Sequence, residues 1–161
     1  MNVSKVLITG MSGTGKSAVL AELARRGHEV VDTDYGNWIE EARLADGSVE
    51  RLWREERIVL LLARRSLRSI FVAGCVANQR EFYAGFNAIV LLSAPCEVIL
   101  DRIASRTTND YGKSAIEQER ILDDIAFVEP LLRVRATAEI DTRIPLHEVA
   151  DQLESIARLS V

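Results

Sequence analysis

Three glycines, a lysine and two serines lie close together near the start of the chain, at residues 10–17, which read GMSGTGKS. Glycine loses more conformational entropy on folding than any other residue, so this density indicates a backbone that must curl tightly. Such a curl points successive N–H groups at phosphate oxygens, and a following helix adds its positive end. The segment follows the apolar run KVLIT and precedes the helical pattern KSAVLAELARR. It therefore predicts a phosphate-binding loop between a strand and a helix.

The loop matches the pattern G-x-x-x-x-G-K-[ST] at every position. In that pattern the lysine, here Lys16, reaches the β- and γ-phosphates of a nucleoside triphosphate, and the serine, here Ser17, is a ligand of Mg²⁺. An accidental glycine-rich turn is the alternative, but the flanking strand and helix favour the functional interpretation. We therefore predict ATP and Mg²⁺ as cofactors. The residues expected to bind the nucleotide are Ser12, Gly13, Thr14, Gly15, Lys16, Ser17 and Ala18.

Two carboxylates, Asp32 and Asp34, follow the second apolar run in VVDTD. Residues two apart at the end of a strand lie on the same side, where a metal ion and a hydroxyl nucleophile would need them. Aspartate also suits turns and helix caps, which is the structural alternative. Beside a phosphate-binding loop, the chemical interpretation is favoured.

Two arginines, Arg102 and Arg106, lie four residues apart in DRIASRTTNDYGKS, so one helix face carries both guanidinium groups. Planar guanidinium groups suit stacking on a base and clamping a phosphate. The alternative is a pair of solvated arginines near the end of a helix, where positive charge is stabilised in any case. The polar segment that follows, 107–114, is expected to form a loop.

Short apolar segments alternate with segments of helical spacing along the chain. Strands are predicted at 5–9, 28–34, 69–73, 88–92 and 138–142. Helices are predicted at 16–26, 35–45, 48–67, 95–106, 115–135 with a bend at Pro130, and 145–159. This alternation predicts an α/β fold, with a parallel sheet covered by helices on both faces and ligands at the carboxyl ends of the strands. The length predicts one domain over 1–161.

Together, the phosphate-binding loop, the D-x-D pair and the R-x-x-x-R pair resemble the small P-loop kinases of the adenylate kinase and shikimate kinase group. The resemblance covers most of the chain. It implies a P-loop NTPase fold with a five-stranded parallel sheet in the order 2-3-1-4-5. It also implies a short lid, here at 107–114, and an acceptor-binding helical region, here at 35–67. The strands SIFVA and AIVLL end without the metal-binding acid of many ATPases, and no N-K-x-D stretch is present, which argues against motor proteins and G-proteins.

The same resemblance implies a role for each motif residue. Asp32 would lie near Mg²⁺, and Asp34 would face the acceptor and handle the proton of its hydroxyl group. Arg102 would stack on the adenine, and Arg106 would clamp the phosphoryl group during transfer. The segment EIDTRIPLHEV resembles the last strand and loop of these kinases, whose backbone cups the adenine. The residues of this segment assigned to the nucleotide site are Thr142 and Arg143.

The expected acceptor site departs from the shikimate kinase pattern. Where those enzymes have a glycine triplet after the third strand, this chain reads AGCVANQ. Where they have an arginine shortly before an NPLY-like turn, this chain reads FVEPLL, with Val128 at the place of the arginine. Both differences argue against shikimate itself as the acceptor. The remaining candidates for binding an acceptor are Asp34, Trp38, Arg54, Arg57, Asn78, Gln79 and Arg80. A solvated helix face for the arginines and a place in the core for the tryptophan are the structural alternatives.

Bulk composition excludes several classes of protein. The chain is 48% hydrophobic, carries a net charge of −4 and has no apolar run near the roughly 20 residues that span a bilayer. A membrane protein and a general nucleic-acid binder are therefore not expected. Two isolated cysteines do not form a disulfide framework, and the N-terminal residues lack the layout of a signal peptide. We expect a cytoplasmic protein that is a monomer or a homodimer.

The sequence as a whole favours an ATP-dependent phosphotransferase. Its acceptor would be a small molecule, with either a hydroxyl group or a nucleoside monophosphate receiving the γ-phosphoryl group. In the second case an arginine clamp would replace Asp34, because a phosphate oxygen needs no general base. An ATP-binding regulatory or assembly module with slow hydrolysis is the alternative from another class. A toxin-like or antibiotic-modifying phosphotransferase would differ only in its acceptor.

Overall fold

A five-stranded parallel sheet lies at the centre of the computed structural model, which describes residues 3–160. In chain order, the elements are β1 (Lys5–Thr9), α1 (Lys16–Arg25), β2 (Glu29–Asp32), β3 (Ile39–Arg43), β4 (Val49–Trp53), α2 (Glu55–Ala63), β5 (Ile70–Ala73), a 3-10 helix (Gln79–Gly85), β6 (Ala88–Ser93), α3 (Cys96–Ser105), α4 (Ala115–Phe127), α5 (Glu129–Arg135), β7 (Ala138–Asp141) and α6 (Leu146–Leu159). The predicted α/β fold is confirmed.

The sheet has the spatial order β2-β5-β1-β6-β7, and all of its neighbouring strands are parallel. The strand numbers differ from the predicted 2-3-1-4-5 because the unforeseen strands β3 and β4 come between β2 and β5 in the chain. Counted alone, the parallel strands follow the predicted order. Because β1 lies in the middle, the loop that follows it opens at the centre of the carboxyl edge of the sheet.

Apolar side chains cover both faces of the sheet, which explains why its three inner strands, β5, β1 and β6, are nearly continuous apolar runs. On β1, Val6 and Ile8 pack on one face with residues of α1 and α6, while Leu7 packs on the other face with Trp53 and residues of α2. All three side chains of this strand are fully buried. The central strand is therefore held from both sides, and it gives the loop at its end a rigid support.

The region 35–67 differs from the prediction of two helices, which was wrong for its first half. It contains an antiparallel hairpin of β3 and β4, with Ile39 opposite Trp53 and Arg43 opposite Val49, followed by the single helix α2. The turn decides this outcome. Gly47 has a φ of 84°, in the left-handed region that favours glycine, and Asp46 accepts hydrogen bonds from the backbone N–H (2.9 Å) and the hydroxyl (2.5 Å) of Ser48.

The segment 115–135 is helical as predicted, but it divides into α4 and α5 at Val128, two residues before the predicted bend at Pro130. Val128 lies between α4 and α5, and Pro130 occupies the first turn of α5, where its missing N–H has no helical partner to lose. At its N-terminal end, α4 begins with a capping box, in which Ser114 and Glu117 satisfy each other's backbone N–H groups.

Within residues 3–160, no helix has both the length and the apolar composition needed to cross a membrane.

Candidate active site

The loop between β1 and α1 has the tightly curled backbone that its glycines predict. Gly13 and Gly15 adopt left-handed φ angles of 83° and 98°. At Gly10, a Cβ atom would lie 2.4 Å from the carbonyl oxygen of Leu92, so no larger residue fits between the loop and β6. The hydroxyl of Thr14 donates to the carbonyl of Met11 at 2.9 Å and closes the curl. The loop therefore has the shape of a phosphate cradle at the positive end of α1.

The ammonium group of Lys16 is turned into this loop. It donates to the carbonyl oxygens of Gly10 (2.7 Å) and Met11 (3.0 Å). Burial lowers the pKa of this ammonium group, and the nearby side chains of Cys75, Asp34 and Asp32 act in the opposite direction. A cation held by neutral carbonyls in a desolvated loop is stabilised by an incoming anion, so the donor set fits a phosphate group.

Ser17 and Asp32, the predicted metal ligands, are in contact. The hydroxyl of Ser17 donates to Asp32 Oδ2 at 2.7 Å, and Asp32 Oδ1 accepts from the backbone N–H of Asp34 at 3.1 Å. These bonds orient both oxygens of Asp32 at the carboxyl end of β2. No group of three or more acidic, histidine or cysteine side chains that could hold a metal occurs in the described part of the chain. The residues present therefore fit an ion such as Mg²⁺ that also takes phosphate oxygens and water.

Asp34 faces the hairpin. Its Oδ1 lies 3.3 Å from Nη2 of Arg51 on β4, and both side chains are about half exposed. Sequence reasoning missed Arg51 because 48–67 was interpreted as a helix. The signal was present as strand alternation, which places Arg51 on the same face as the buried Trp53 two residues later.

The hairpin is docked on the loop that follows β5. Trp53 is 1% exposed, and its indole N–H donates to Thr33 Oγ1 at 2.9 Å, while the hydroxyl of Thr33 donates to the carbonyl of Ala73 at 2.8 Å. The backbone N–H of Ala77 donates to the carbonyl of Arg51 at 3.0 Å. These bonds fix β4 beside the carboxyl ends of β2 and β5, so the backbone at Arg51 is held in place.

Asn78 and Gln79 use their amide groups within the protein. Asn78 accepts from the backbone N–H of Trp53 (2.8 Å) and donates to its carbonyl (3.1 Å), as a neighbouring strand would. Gln79 is 2% exposed, donates to Thr9 Oγ1 (3.0 Å) and to the Tyr83 hydroxyl (2.9 Å), and accepts from the backbone of the loop after β5. In this arrangement both amides position the hairpin and the loop instead of facing an acceptor.

Arg57 and Trp38 support the segment that enters the hairpin. The guanidinium group of Arg57 lies 4.3 Å from the ring centre of Trp38 and donates to the carbonyls of Gly36 (2.5 Å) and Asn37 (2.9 Å). Asn37 has a φ of 64°, an uncommon conformation that these bonds help to hold. The two side chains line one wall of a cavity of about 250 Å³. Their contacts identify them as supports of the segment that connects Asp34 to β3.

Arg54 has a different environment from Arg57. Its Nη1 lies 3.4 Å from Glu40 on β3, and its Nε is a buried donor with no hydrogen-bond partner among residues 3–160. A buried donor without a partner is unusual and is satisfied when an acceptor atom arrives. Arg80 is exposed in the 3-10 helix that follows Asn78. Of these two arginines, Arg54 has the chemistry of a binding residue.

Arg102 and Arg106 connect the phosphate loop to its surroundings. Arg102 donates to the hydroxyl (2.8 Å) and carbonyl (2.7 Å) of Thr142, and its Nη1 lies 3.4 Å from the carbonyl of Gly13. Arg106 donates to the carbonyl of Tyr111 (2.5 Å), and its Nη1 lies 3.5 Å from the hydroxyl of Ser12. The first arginine thus joins the loop to the end of β7, and the second joins it to the expected lid, 107–114.

Arg143, assigned to the nucleotide site with Thr142, is engaged beside it. Its guanidinium group pairs with Asp141 at 2.6 Å, and this bond lowers the pKa of the Asp141 carboxyl group. Thr142 itself is buried, and its backbone N–H donates to the carbonyl of Ser93 on β6 at 2.9 Å. The segment after β7 therefore offers its backbone at the edge of the loop, with the Arg143 side chain turned to Asp141.

A protein-family model matches most of this chain. The model is described as an AAA domain, and residues 6–123 match it, from β1 to the second half of α4. The chain belongs to this AAA domain family. No curated protein matches the chain.

Solved structures similar to this AAA domain protein include two shikimate kinases and a gluconokinase. The shikimate kinase from Acinetobacter baumannii, in complex with shikimate, is 18% identical, and the match covers 96% of this chain and 92% of that chain with a TM-score of 0.64. The shikimate kinase from Bacteroides thetaiotaomicron is 15% identical, with 96% and 98% covered and a TM-score of 0.65. The gluconokinase from Sinorhizobium meliloti 1021 is 21% identical, with 99% and 94% covered and a TM-score of 0.58.

These similarities extend over almost the whole of each chain, so they concern the complete fold and not only the phosphate loop. At such identities they show that this AAA domain protein has the fold of the small P-loop kinases. The resemblance that the sequence motifs predict is confirmed at this level.

Proposed function

We propose that the protein is an ATP-dependent phosphotransferase that moves the γ-phosphoryl group to a small-molecule acceptor. The observation that carries this proposal is the convergence of three groups at one edge of the sheet. They are the Lys16 ammonium group in its loop, the Ser17–Asp32 contact at 2.7 Å, and Asp34 beside them. In phosphoryl transfer, Lys16 would bind the phosphates of the donor, Ser17 and Asp32 would bind the metal, and Asp34 would bind the acceptor hydroxyl.

The phosphate loop and its neighbours would hold ATP. Backbone N–H groups of residues 12–18 would surround the phosphates, and the Lys16 ammonium group would leave its carbonyl partners for the β- and γ-phosphate oxygens. Arg102 and the segment at Thr142 and Arg143 would border the adenine. Arg106 already lies 3.5 Å from the Ser12 hydroxyl, a position from which it would clamp the phosphoryl group.

Ser17 and Asp32 would hold Mg²⁺. When bound, this ion neutralises charge on the phosphates and orients the γ-phosphoryl group. The Ser17 hydroxyl and the Asp32 carboxylate are in contact at 2.7 Å, so one ion could take an oxygen from each group. Asp34, whose backbone holds Asp32 in place, would accept the proton of the acceptor hydroxyl during transfer.

The acceptor would lie between the phosphate loop and the hairpin. Asp34, Arg51 and Arg54 are charged side chains at this place. Of the other candidates, Asn78, Gln79, Trp38 and Arg57 are engaged within the protein. The buried Nε of Arg54 favours an acceptor with an anionic or strongly accepting group near its hydroxyl. The similar shikimate kinase from Acinetobacter baumannii is a complex with shikimate. In this chain, Val128 stands where the shikimate kinase pattern has an arginine. We therefore propose an acceptor other than shikimate.

We also propose that the protein acts in a reducing compartment, such as the cytoplasm. Both cysteines, Cys75 and Cys96, are free thiols. Burial raises the pKa of the Cys75 thiol, which lies beside the phosphate loop and therefore stays protonated and unreactive.

The test of the proposed function is ADP formation measured with and without a library of small hydroxylated metabolites and nucleoside monophosphates. A kinase produces ADP rapidly only when its acceptor is present, and the phosphorylated product is identified by mass spectrometry. The Lys16→Ala variant is the control for contaminating kinases. ATP turnover that is the same with and without every acceptor would instead favour the regulatory module with slow hydrolysis.

A further inference from the structure

The outer side of α4 and α5 exposes large apolar side chains. Ile116, Phe127, Leu131 and Val134 are 78%, 72%, 69% and 80% exposed. Single exposed apolar residues are ordinary on a protein surface, whereas a contiguous group of them marks an interaction site. Whether these four form one group depends on how the two helices join.

The two helices continue one another through Val128. This residue has helical angles (φ −94°, ψ −45°), donates to the carbonyl of Asp124 at 2.8 Å and accepts from the N–H of Leu132 at 3.1 Å. The opposite side of both helices is buried through Ile121 and Leu132. Residues spaced by three and four therefore lie in one row on the solvent side. We call this row the outer helix face. It consists of Ile116, Arg120, Asp123, Phe127, Leu131 and Val134.

Two opposite charges lie inside the row. Arg120 and Asp123 are exposed, and neither side chain makes a hydrogen bond or an ion pair within the part of the chain that is described. From Ile116 to Phe127 the row reads apolar, positive, negative, apolar. When a second copy of the row lies antiparallel to the first, each positive charge faces a negative charge and each apolar residue faces an apolar residue.

We propose that the outer helix face joins two copies of this chain in a two-fold symmetric dimer with antiparallel helices. With the axis between residues 121 and 122, Arg120 of each copy faces Asp123 of its partner, and Ile116 faces Phe127. A two-fold axis repeats every contact, so one row supplies two ion pairs enclosed by two apolar contacts. Leu131 and Val134 extend the apolar surface beyond them. This self-complementary order favours a second copy over an unrelated partner, which would have no reason to match it.

The dimer leaves the phosphate loop open. Ile125 and Val128, on the inner side of these helices, pack with Met11 and Cys75 near that loop, so the outer helix face points away from it. The proposal is consequently independent of the proposed function. Assembly and phosphotransfer are measured separately, and neither result decides the other.

Sedimentation velocity over a wide range of protein concentration tests the dimer directly. We expect a monomer–dimer equilibrium for the full chain. Asp123→Arg replaces both ion pairs of the dimer by arginine–arginine contacts, and Arg120→Asp replaces both by aspartate–aspartate contacts. Each variant should therefore weaken dimerisation by about tenfold or more. The double variant Arg120→Asp/Asp123→Arg restores both pairs and therefore the dimer. Phe127→Glu also weakens it.

Leu60→Glu is the matched control, because Leu60 is an equally exposed leucine (72%) on α2, away from this face. It should leave the equilibrium unchanged. Circular dichroism establishes that every variant is folded, as expected for exposed positions. A monomer at all concentrations overturns the proposal. A dimer that resists Phe127→Glu, or that the double variant fails to restore, also overturns it, because its contacts then lie elsewhere.

Discussion

The guanidinium group of Arg51 lies 3.3 Å from the carboxylate of Asp34, and the two residues come from different elements. Asp34 follows β2 of the parallel sheet, whereas Arg51 lies on β4 of the hairpin. A half-exposed ion pair of this kind contributes less than about 1 kcal/mol to stability. Its importance would therefore be geometric, since it turns the proposed general base towards the wall of the acceptor site.

Arg51→Gln should lower turnover by about tenfold, a smaller loss than removal of the Asp34 carboxylate, because the base remains but is less well oriented. ATP affinity and thermal unfolding should stay unchanged. Steady-state kinetics with the acceptor measures the effect. Arg43→Gln, at the far end of the same hairpin, is the control. In an Asp34→Asn background, Arg51→Gln should have little further effect, and a full additional loss would contradict action through Asp34.

Lys16→Ala should keep the fold and greatly lower phosphotransfer. Among residues 3–160, the ammonium group bonds only to two carbonyls of its own loop, so its loss costs little stability, but its charge is needed against the triphosphate. Removing one such stabilising group from a transfer site lowers turnover by about 10²–10³-fold. Thermal unfolding, ATP titration and turnover of both proteins measure this. A variant with unchanged ATP affinity and turnover would contradict the assignment of residues 10–17 as the phosphate-binding loop.

The parallel sheet was predictable from sequence because strands that are covered on both faces must be apolar along their whole length, as Val6, Leu7 and Ile8 are. The hairpin was not. Leu52 and Trp53 fit a helical period as well as a strand period, and the decision lies in the turn at Asp46 and Gly47, whose local hydrogen bonds override periodicity.

Residue type also limited the prediction of the acceptor site. An amide predicts hydrogen bonding but not its partner, and Asn78 and Gln79 have theirs inside the protein. Arg51 was missed as a direct consequence of the missed strand. The phosphate loop, by contrast, brings Lys16 and Ser17 together within one continuous segment, so its spacing alone defines its geometry.

ATP together with Mg²⁺ should raise the melting temperature, whereas Mg²⁺ alone should not. Ser17 and Asp32 are two side chains, too few to fill an octahedron, so the ion needs phosphate oxygens to complete it. At a hundredfold excess of nucleotide over Kd, binding adds about 2.7 kcal/mol, or roughly 5–10 °C for a chain of this size. Differential scanning calorimetry measures the shift. The absence of a shift at millimolar nucleotide, or a shift with Mg²⁺ alone, would contradict this site.

Trp53 and Thr33 should be energetically coupled. The indole N–H of Trp53 donates to the Thr33 hydroxyl at 2.9 Å in a buried environment. Trp53→Phe and Thr33→Val should each destabilise the protein, and their double-mutant cycle should give a coupling energy of about 0.5–1.5 kcal/mol. Urea unfolding provides the four free energies. Strictly additive losses would mean that this bond does not help to dock the hairpin.

Asp32 and Asp34 should fail in different ways when each is replaced by asparagine, because one would serve the metal and the other the acceptor. Asp32→Asn removes the carboxylate that contacts Ser17, so it should weaken the affinity for Mg²⁺, and higher metal concentration should partly restore the rate. Asp34→Asn should leave nucleotide and metal binding intact while lowering turnover by about 10²–10⁴-fold, since it removes the group that takes the hydroxyl proton.

Rates measured against Mg²⁺ and against acceptor for both variants separate the two roles, once the library has provided an acceptor. Rescue of Asp34→Asn by metal would exchange the assignments of Asp32 and Asp34. Normal turnover of Asp34→Asn would mean that the acceptor brings an oxygen that needs no base, such as that of a phosphate or carboxylate. A nucleoside monophosphate would then replace the hydroxyl compound as the proposed acceptor, with Arg51 and Arg54 as the arginines placed to bind its charge.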